Sequence, residues 1–336
     1  MRVDALLSSG SDPGAGAARL ESLGYDTIWV PEAGSDPFVH SAVAATATRH
    51  IRLGTGVAIA FGRTPLTVAQ AGYDLAQVTG GRFVLGLGSQ VRAHIERRYS
   101  MPWSQPAERM REFVQAVRAI WRTWTTGVPL AFHGRFYRHD LMTPAFTPSR
   151  REHPPPDIYL AGVSTRMTEL AGELADGYVF HPFTSEHYLH SVTLPALARG
   201  AARRRGPGPV PVTGSMLVCV APPGQARPDP AAIEATRRSI AFYASTAAYL
   251  PVLQAHGLGE LRPRLGELAR GGRWDDMAAL LPGDLVREVA AIGTAQEVAQ
   301  ELVRRCRGEV DSLALYAPGG MNEQAGAQTL AALHRS

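Results

Sequence analysis

Short apolar runs alternate with amphipathic stretches along all 336 residues of this chain, and that alternation leaves few folds open. Strand-like runs fall at Val3 to Leu7, Thr27 to Val30, Arg52 to Ile59, Phe83 to Leu87, Asp157 to Ala161, Gly177 to Phe180, Val212 to Val220 and Ser312 to Tyr316. Between them the apolar period lengthens to that of a helix. Val68, Ala71, Leu75 and Val78 recur every third or fourth residue, as do Met110, Phe113, Val117, Ile120 and Trp124. Pro106 suits a first helical turn, and Thr294 with Glu297 forms a T-x-x-E capping box ahead of the helix before the last strand. Strands each followed by a helix, joined by right-handed crossovers, close into an α/β fold of the (β/α)8 TIM barrel type. An open doubly wound sheet is the alternative. Against it, the segment SSGSDPGAG after the first strand lacks the G-x-G-x-x-G spacing.

Two regions break the rhythm. Trp124 to Pro156 is rich in proline, histidine and arginine and reads as a long loop with a short hairpin around His133 to Arg138. Residues 221–285 open with APPGQARPDP and continue as helices outside the βα repeat, a helical insertion between the seventh and eighth strands. An insertion of that length near strand ends is expected to act as a lid or a dimer contact.

Composition narrows the chemistry. Hydrophobic residues at 45% and charged ones at 19% provide for a sizeable core. All 34 basic residues are arginine, which excludes lysine Schiff-base chemistry and a lysine-bearing phosphate loop. A net charge of +4, with no basic run longer than Arg203 to Arg205 and no aromatic interleaving, does not point to nucleic acid. Cys219 and Cys306 have neither metal-site nor disulfide-framework spacing and are expected to be buried and reduced. No histidine–carboxylate spacing suggests a metal. The start MRVDALLSSG is unlike a signal peptide and no run of apolar residues is long enough to span a bilayer, so a cytoplasmic location is expected.

In a barrel of this kind, ligands sit at the carboxyl ends of the strands. There this chain places IRLGTGVAIAF and then FVLGLGSQ, two strands running into glycine-rich turns. The turn AGVSTR opens a helix at Ser164 or Thr165, so the amides of Gly162, Val163 and Ser164 suit an anion such as phosphate, although alone the motif reads first as a mere helix cap. Glu32 ends the second strand and His181 follows the sixth, which makes them candidates for proton transfer, with His40 and His94 behind them.

Four segments in series, YDTIWVPEAGSDPF, HIRLGTGVAIAFGRTP, GGRFVLGLGSQ and IYLAGVSTRMTELAGELADGYVFHPF, resemble the luciferase-like family of flavin and deazaflavin oxidoreductases, closest to its F420-dependent members. The resemblance covers Val3 to Phe183 and Ile292 to Leu333, not the insertion. It implies a non-prolyl cis peptide at Gly56 and Val57, with Ala58 beside it, behind the cofactor's ring. It implies that Gly88, Ser89 and Gln90 face the ring edge or ribityl chain, and that Gly162, Val163, Ser164 and Arg166 hold the phosphate. Arg92, Arg97 and Arg98 are further candidates for the cofactor's anionic groups. It also implies an acid at Glu32, but Ala33 stands where members often carry histidine. Val91 stands where sugar-phosphate dehydrogenases carry a carboxylate, which disfavours that reaction. The implied function is hydride transfer between F420 and a small organic substrate, reducing a C=C, C=N or carbonyl group, by a homodimeric enzyme. An FMN-dependent monooxygenase of the same family is the alternative, and a non-catalytic cofactor-binding member is the second.

Overall fold

A computed structural model describes residues 1–8, 10, 12–150, 152–204 and 208–335. Parts of SSGSDPGAG and the last residue of the run Arg203 to Arg205 lie outside the described residues. Eight parallel strands form the barrel: β1 (Arg2–Leu6), β2 (Thr27–Val30), β3 (Arg52–Thr55), β4 (Phe83–Gly88), β5 (Asp157–Ala161), β6 (Gly177–Phe180), β7 (Val212–Val220) and β8 (Ser312–Tyr316). The ring closes through β7, which pairs with β6 at Val212 and Tyr178 and with β8 at Thr213 and Ser312, and through β8, which pairs with β1 at Ser312 and Arg2.

Each strand buries both faces, so alternate side chains enter two different cores. Outward residues such as Val3, Leu53, Leu85 and Leu313 meet the apolar stripes of the surrounding helices. Inward residues fill the lumen with Trp29, Val84, Tyr159 and Ala314. Glycine makes room for the rings: a Cβ on Gly54 would lie 2.6 Å from the indole of Trp29. Asp4 lies buried in this lumen, where Trp29 Nε1 and Ser312 Oγ donate to its Oδ2 at 2.8 and 2.7 Å.

The helix punctuation follows the sequence. Pro106 opens the helix Pro106–Thr126, and Thr294 and Glu297 exchange both bonds of the capping box. That first helix continues two residues beyond Trp124, whose indole is fully buried, so the long loop starts later than expected; its hairpin pairs Phe132–His133 with Arg138–His139. Both cysteines are free and buried. Among the described residues no helix is long and apolar enough to cross a membrane.

Two strand assignments need correction. The third strand is not continuous to Ile59. It stops at Thr55 and resumes as the short strand Ala58–Ile59, which pairs with Leu87 and Gly88. A further strand, Ala290–Gly293, pairs with Leu217 to Val220 of β7. The reason is length: β7 runs nine residues while pairing with β6 ends at Gly214, so its far edge would otherwise be left without hydrogen bonds.

The insertion is helical as expected and continues to Val289, with helices Pro230–Ser245, Leu250–Ala255, Leu261–Arg270, Trp274–Ala279 and Gly283–Val289. These enclose a second core in which Ile240, Val252, Leu265 and Met277 pack with Phe183, Tyr188 and Leu217 from the β6 and β7 side of the barrel.

Candidate functional site

The peptide bond between Gly56 and Val57 is cis, at the position the resemblance implies. Around it the walls are backbone. Thr55 Oγ1 donates to Gly86 O at 2.6 Å, and a Cβ on Gly86 would lie 2.0 Å from Thr55 O. The Val57 side chain leans on Gly88, where a Cβ would come within 2.7 Å of its Cγ2. Only glycine on β4 allows β3 to turn this closely against it.

Glu32 braces this turn from below. Its Oε2 accepts from the Ile59 amide at 2.7 Å and from Arg63 Nη1 at 2.7 Å, while its Oε1 accepts from Tyr99 Oη at 2.7 Å. The side chain is 7% exposed. Arg63 is shared with Asp36 at 2.6 Å. Burial alone would lower the guanidinium's pKa, but the two carboxylates outweigh it and raise it; in return Arg63 and the Phe38 and Val39 amides hold Asp36 below its ordinary range against its own burial. With both oxygens committed, Glu32 positions the bulge.

At the end of β4, Ser89 and Gln90 are half-buried and turn back on their own backbone. Ser89 Oγ donates to Gln90 O at 3.1 Å, and Gln90, with φ of 59°, accepts from the Val91 amide at 2.9 Å. The arginines beyond them are engaged or outward: Arg92 pairs with Glu96, Arg97 is exposed, and Arg98 donates to Tyr99 Oη. His94 is exposed on the same short helix, and His40 lies on the helix Pro37–Ala47.

After β5, buried tyrosines fix two carbonyls: Tyr178 Oη donates to Gly162 O at 2.6 Å and Tyr188 Oη to Val163 O at 2.9 Å. In a trans peptide the N–H points opposite the carbonyl, so the Val163 and Ser164 amides point away from those tyrosines. Among the described residues no backbone group outside the helices and strands accepts from the amides of Val163 or Ser164. Ser164 caps the helix Thr165–Leu174, and beside it lies a cleft of about 360 Å³ bounded by Gln105 to Glu108 and Arg166. Arg166 itself pairs with Glu108 and is 77% exposed, so it stands at the rim and not against the amides.

His181 sits at the mouth after β6 but is closed in by the insertion. Its ring stacks on Tyr249 at 4.4 Å and meets Tyr243 edge-on at 4.7 Å. Nδ1 accepts from the Phe183 amide at 3.0 Å, so the ring's proton is on Nε2, which donates to Tyr249 Oη at 3.0 Å. Desolvation of the ring pushes its pKa down to about 3, although part of the residue still reaches solvent. At neutral pH it stays uncharged, and its Nε2–H orients the Tyr249 hydroxyl. Burial raises the Tyr249 hydroxyl to about 12.

The structure thus gathers Gly56, Val57, Ala58, Gly88, Ser89 and Gln90 on adjacent strand ends, with Gly162 to Ser164 one strand further round. It adds Arg63, Asp36, Tyr99, Tyr243 and Tyr249, which sequence reasoning missed. Arg63 and Asp36 had a signal, their places in the segments HIRLGTGVAIAFGRTP and YDTIWVPEAGSDPF.

The family described as luciferase-like monooxygenase matches this chain over residues 12–312. An uncharacterized protein of Mycobacterium tuberculosis is 46% identical over 295 residues, covering 88% of this chain and 86% of its own. The 5,10-methylenetetrahydromethanopterin reductase of Archaeoglobus fulgidus is 25% identical over 320 residues, covering 92% of this chain and 90% of its own. Among solved structures, the coenzyme F420 dependent tetrahydromethanopterin reductase from Methanopyrus kandleri superposes with a TM-score of 0.77 at 19% identity, covering 99% of this chain and 96% of that one.

Proposed function

This chain belongs to the luciferase-like monooxygenase family, and from that premise we propose that it is an F420-dependent oxidoreductase that reduces a C=C, C=N or carbonyl group of a small organic substrate. The observation that carries the reading is the cis bulge at Gly56 and Val57, set against the glycines of β4 on an open barrel mouth. A flat ring can lie on a wall of strand-end glycines, and the amides of Val163 and Ser164 can take an anion one strand further on. Both ends of F420, a tricyclic ring and a phosphate-bearing tail, fit that layout. Bound there, F420 would supply hydride chemistry at carbon 5 of its ring.

The chain's own residues would orient and exclude. Glu32 and Arg63 hold the bulge, Gly88 and Ser89 line the ring's edge, and the Ser164 turn anchors the tail. His181, neutral, holds Tyr249 by donating to its hydroxyl, which leaves that hydroxyl's own hydrogen for another acceptor. The proton that accompanies a hydride then comes from Tyr249 or a water molecule, since Glu32 is committed elsewhere. Val91 in place of a carboxylate favours reduction of a neutral acceptor over sugar-phosphate oxidation.

The family's description as monooxygenase supports a second reading, an FMN-dependent monooxygenase. Titrating the protein with oxidised F420 and with FMN separates the two. Binding of F420 in the micromolar range with much weaker binding of FMN is expected, and the reverse order would replace the first reading by the second. Assembly as a homodimer belongs to the same proposal and is read by light scattering.

A further inference from the structure

The insertion opens a second recess beside the mouth. An open cleft of about 680 Å³ lies between the helix Pro230–Ser245 and residues 272–276, with Phe242, Tyr243, Trp274 and Tyr316 on its walls and Arg238 and Arg273 at its rim. Its inner wall is the barrel: Tyr316 ends β8, and Tyr243 packs on His181 after β6. By the pairing order β8 stands four strands from β4, so the cleft lies across the mouth from the glycine wall at Gly88.

Phe242 and Trp274 are 49% and 46% exposed. Their ring centres are 6.3 Å apart and their planes tilted by 55°, so neither covers the other's face. Two large rings half-exposed beside a cleft mark a surface that gains from being covered. The rim carries no spare charge, because Arg238 pairs with Asp275 at 2.7 Å and Arg273 with Asp276 at 2.6 Å. Aromatic faces with a charge-balanced rim select a flat, uncharged molecule over a phosphate ester or other anion.

We propose that this cleft seats the substrate, and that the substrate is an uncharged, planar conjugated compound. The inference rests on the oxidoreductase reading for what becomes of the ligand, not for whether it binds. Coumarin serves as the planar neutral probe and glucose 6-phosphate as the anionic one, each measured by equilibrium dialysis against the full-length protein. Coumarin is expected to bind, to weaken about tenfold or more in Trp274→Ala and in Phe242→Ala, and to recover in Trp274→Phe, since one stacked face is worth about that factor. Glucose 6-phosphate should not compete. Absence of coumarin binding, wild-type affinity in either alanine variant, or displacement by glucose 6-phosphate would overturn the proposal. F420 affinity is measured on the same proteins and should not change in the variants. If F420 fails to bind while coumarin still depends on Trp274, the oxidoreductase reading falls and the cleft stands. If F420 binds and coumarin is indifferent to the variants, the reverse holds.

Discussion

Replacing Glu32 by glutamine tests whether the carboxylate is a brace or a proton carrier. Glutamine keeps the length and one carbonyl acceptor for the Ile59 amide, but it turns an N–H₂ toward Arg63 or Tyr99, both of which donate to the native carboxylate. Stripping one partner from a buried ion pair costs about 3–5 kcal/mol, and a hydrogen bond to a charged group is worth about 1.5–3 kcal/mol. Arg63 keeps Asp36 at 2.6 Å, so its charge is not left bare. The loss should therefore be roughly 2–3 kcal/mol, or about 3–4 °C in melting temperature for a chain of 336 residues. Because Glu32 holds the amide of Ile59, which pairs with Gly88 at the proposed cofactor wall, the cofactor should also bind about tenfold more weakly. Calorimetry and F420 titration read the two effects. A double variant, Glu32→Gln with Arg63→Gln, should cost less than the sum of the singles, as partners in one network do. If Glu32→Gln leaves melting temperature and cofactor affinity unchanged but abolishes turnover, Glu32 carries a proton and the bracing argument is wrong.

Other consequences can be measured separately. The ring protons of His181 should not titrate by NMR between about pH 8 and 5, because its folded pKa sits near 3 while the unfolded value is about 6.5. This histidine's contribution to stability is thus complete above about pH 6.5 and is lost as the pH falls toward 3; an NMR midpoint close to 6.5 would contradict its enclosure by the tyrosines. Gly88→Ala places a methyl group 2.7 Å from Val57 Cγ2, so it should cost about 1–3 kcal/mol and weaken F420 binding, whereas full affinity would mean the wall has slack. Glu301 is held near pKa 2 by its hydrogen bonds to Arg304 and, against burial, to Arg305. Its stabilisation is present above the ordinary carboxylate range and disappears as the pH falls from about 4.5 toward 2. With its side chain 33% exposed, Glu301→Gln should cost only about 1 kcal/mol at pH 7, and the stabilities of the two proteins should converge only as the pH approaches about 2.

The barrel was legible because its signal is periodic and local. Each strand buries both faces and each helix one, so the change of period marks nearly every boundary. What escaped was whatever depends on a partner far along the chain. Ala290–Gly293 is four apolar residues directly after a helix, indistinguishable from its last turn, and it is a strand only because β7 outruns β6. The hydrophobic runs of the insertion announce helices, but their packing against Phe183 and Leu217 has no counterpart in local pattern.

The mouth divides along the same line. On the β3 to β5 side the site is made of backbone, and backbone sites need glycine at fixed places: Gly56, Gly86, Gly88 and Gly162 advertise themselves within short motifs. On the β6 to β8 side it is made of side chains brought from afar. His181 could be placed at the mouth from its position after a strand, yet its hydrogen-bond partner is Tyr249, 68 residues on, and Glu32 is bound by Tyr99, 67 residues on. The cofactor half of such a site can be shared among relatives of different activity, since it asks only for a backbone shape. The opposite half is built by the insertion, where the resemblance ends. Residues such as Tyr249, Phe242 and Trp274 are therefore where the choice of substrate is made, and substitutions there should change which compound is turned over while leaving cofactor affinity intact.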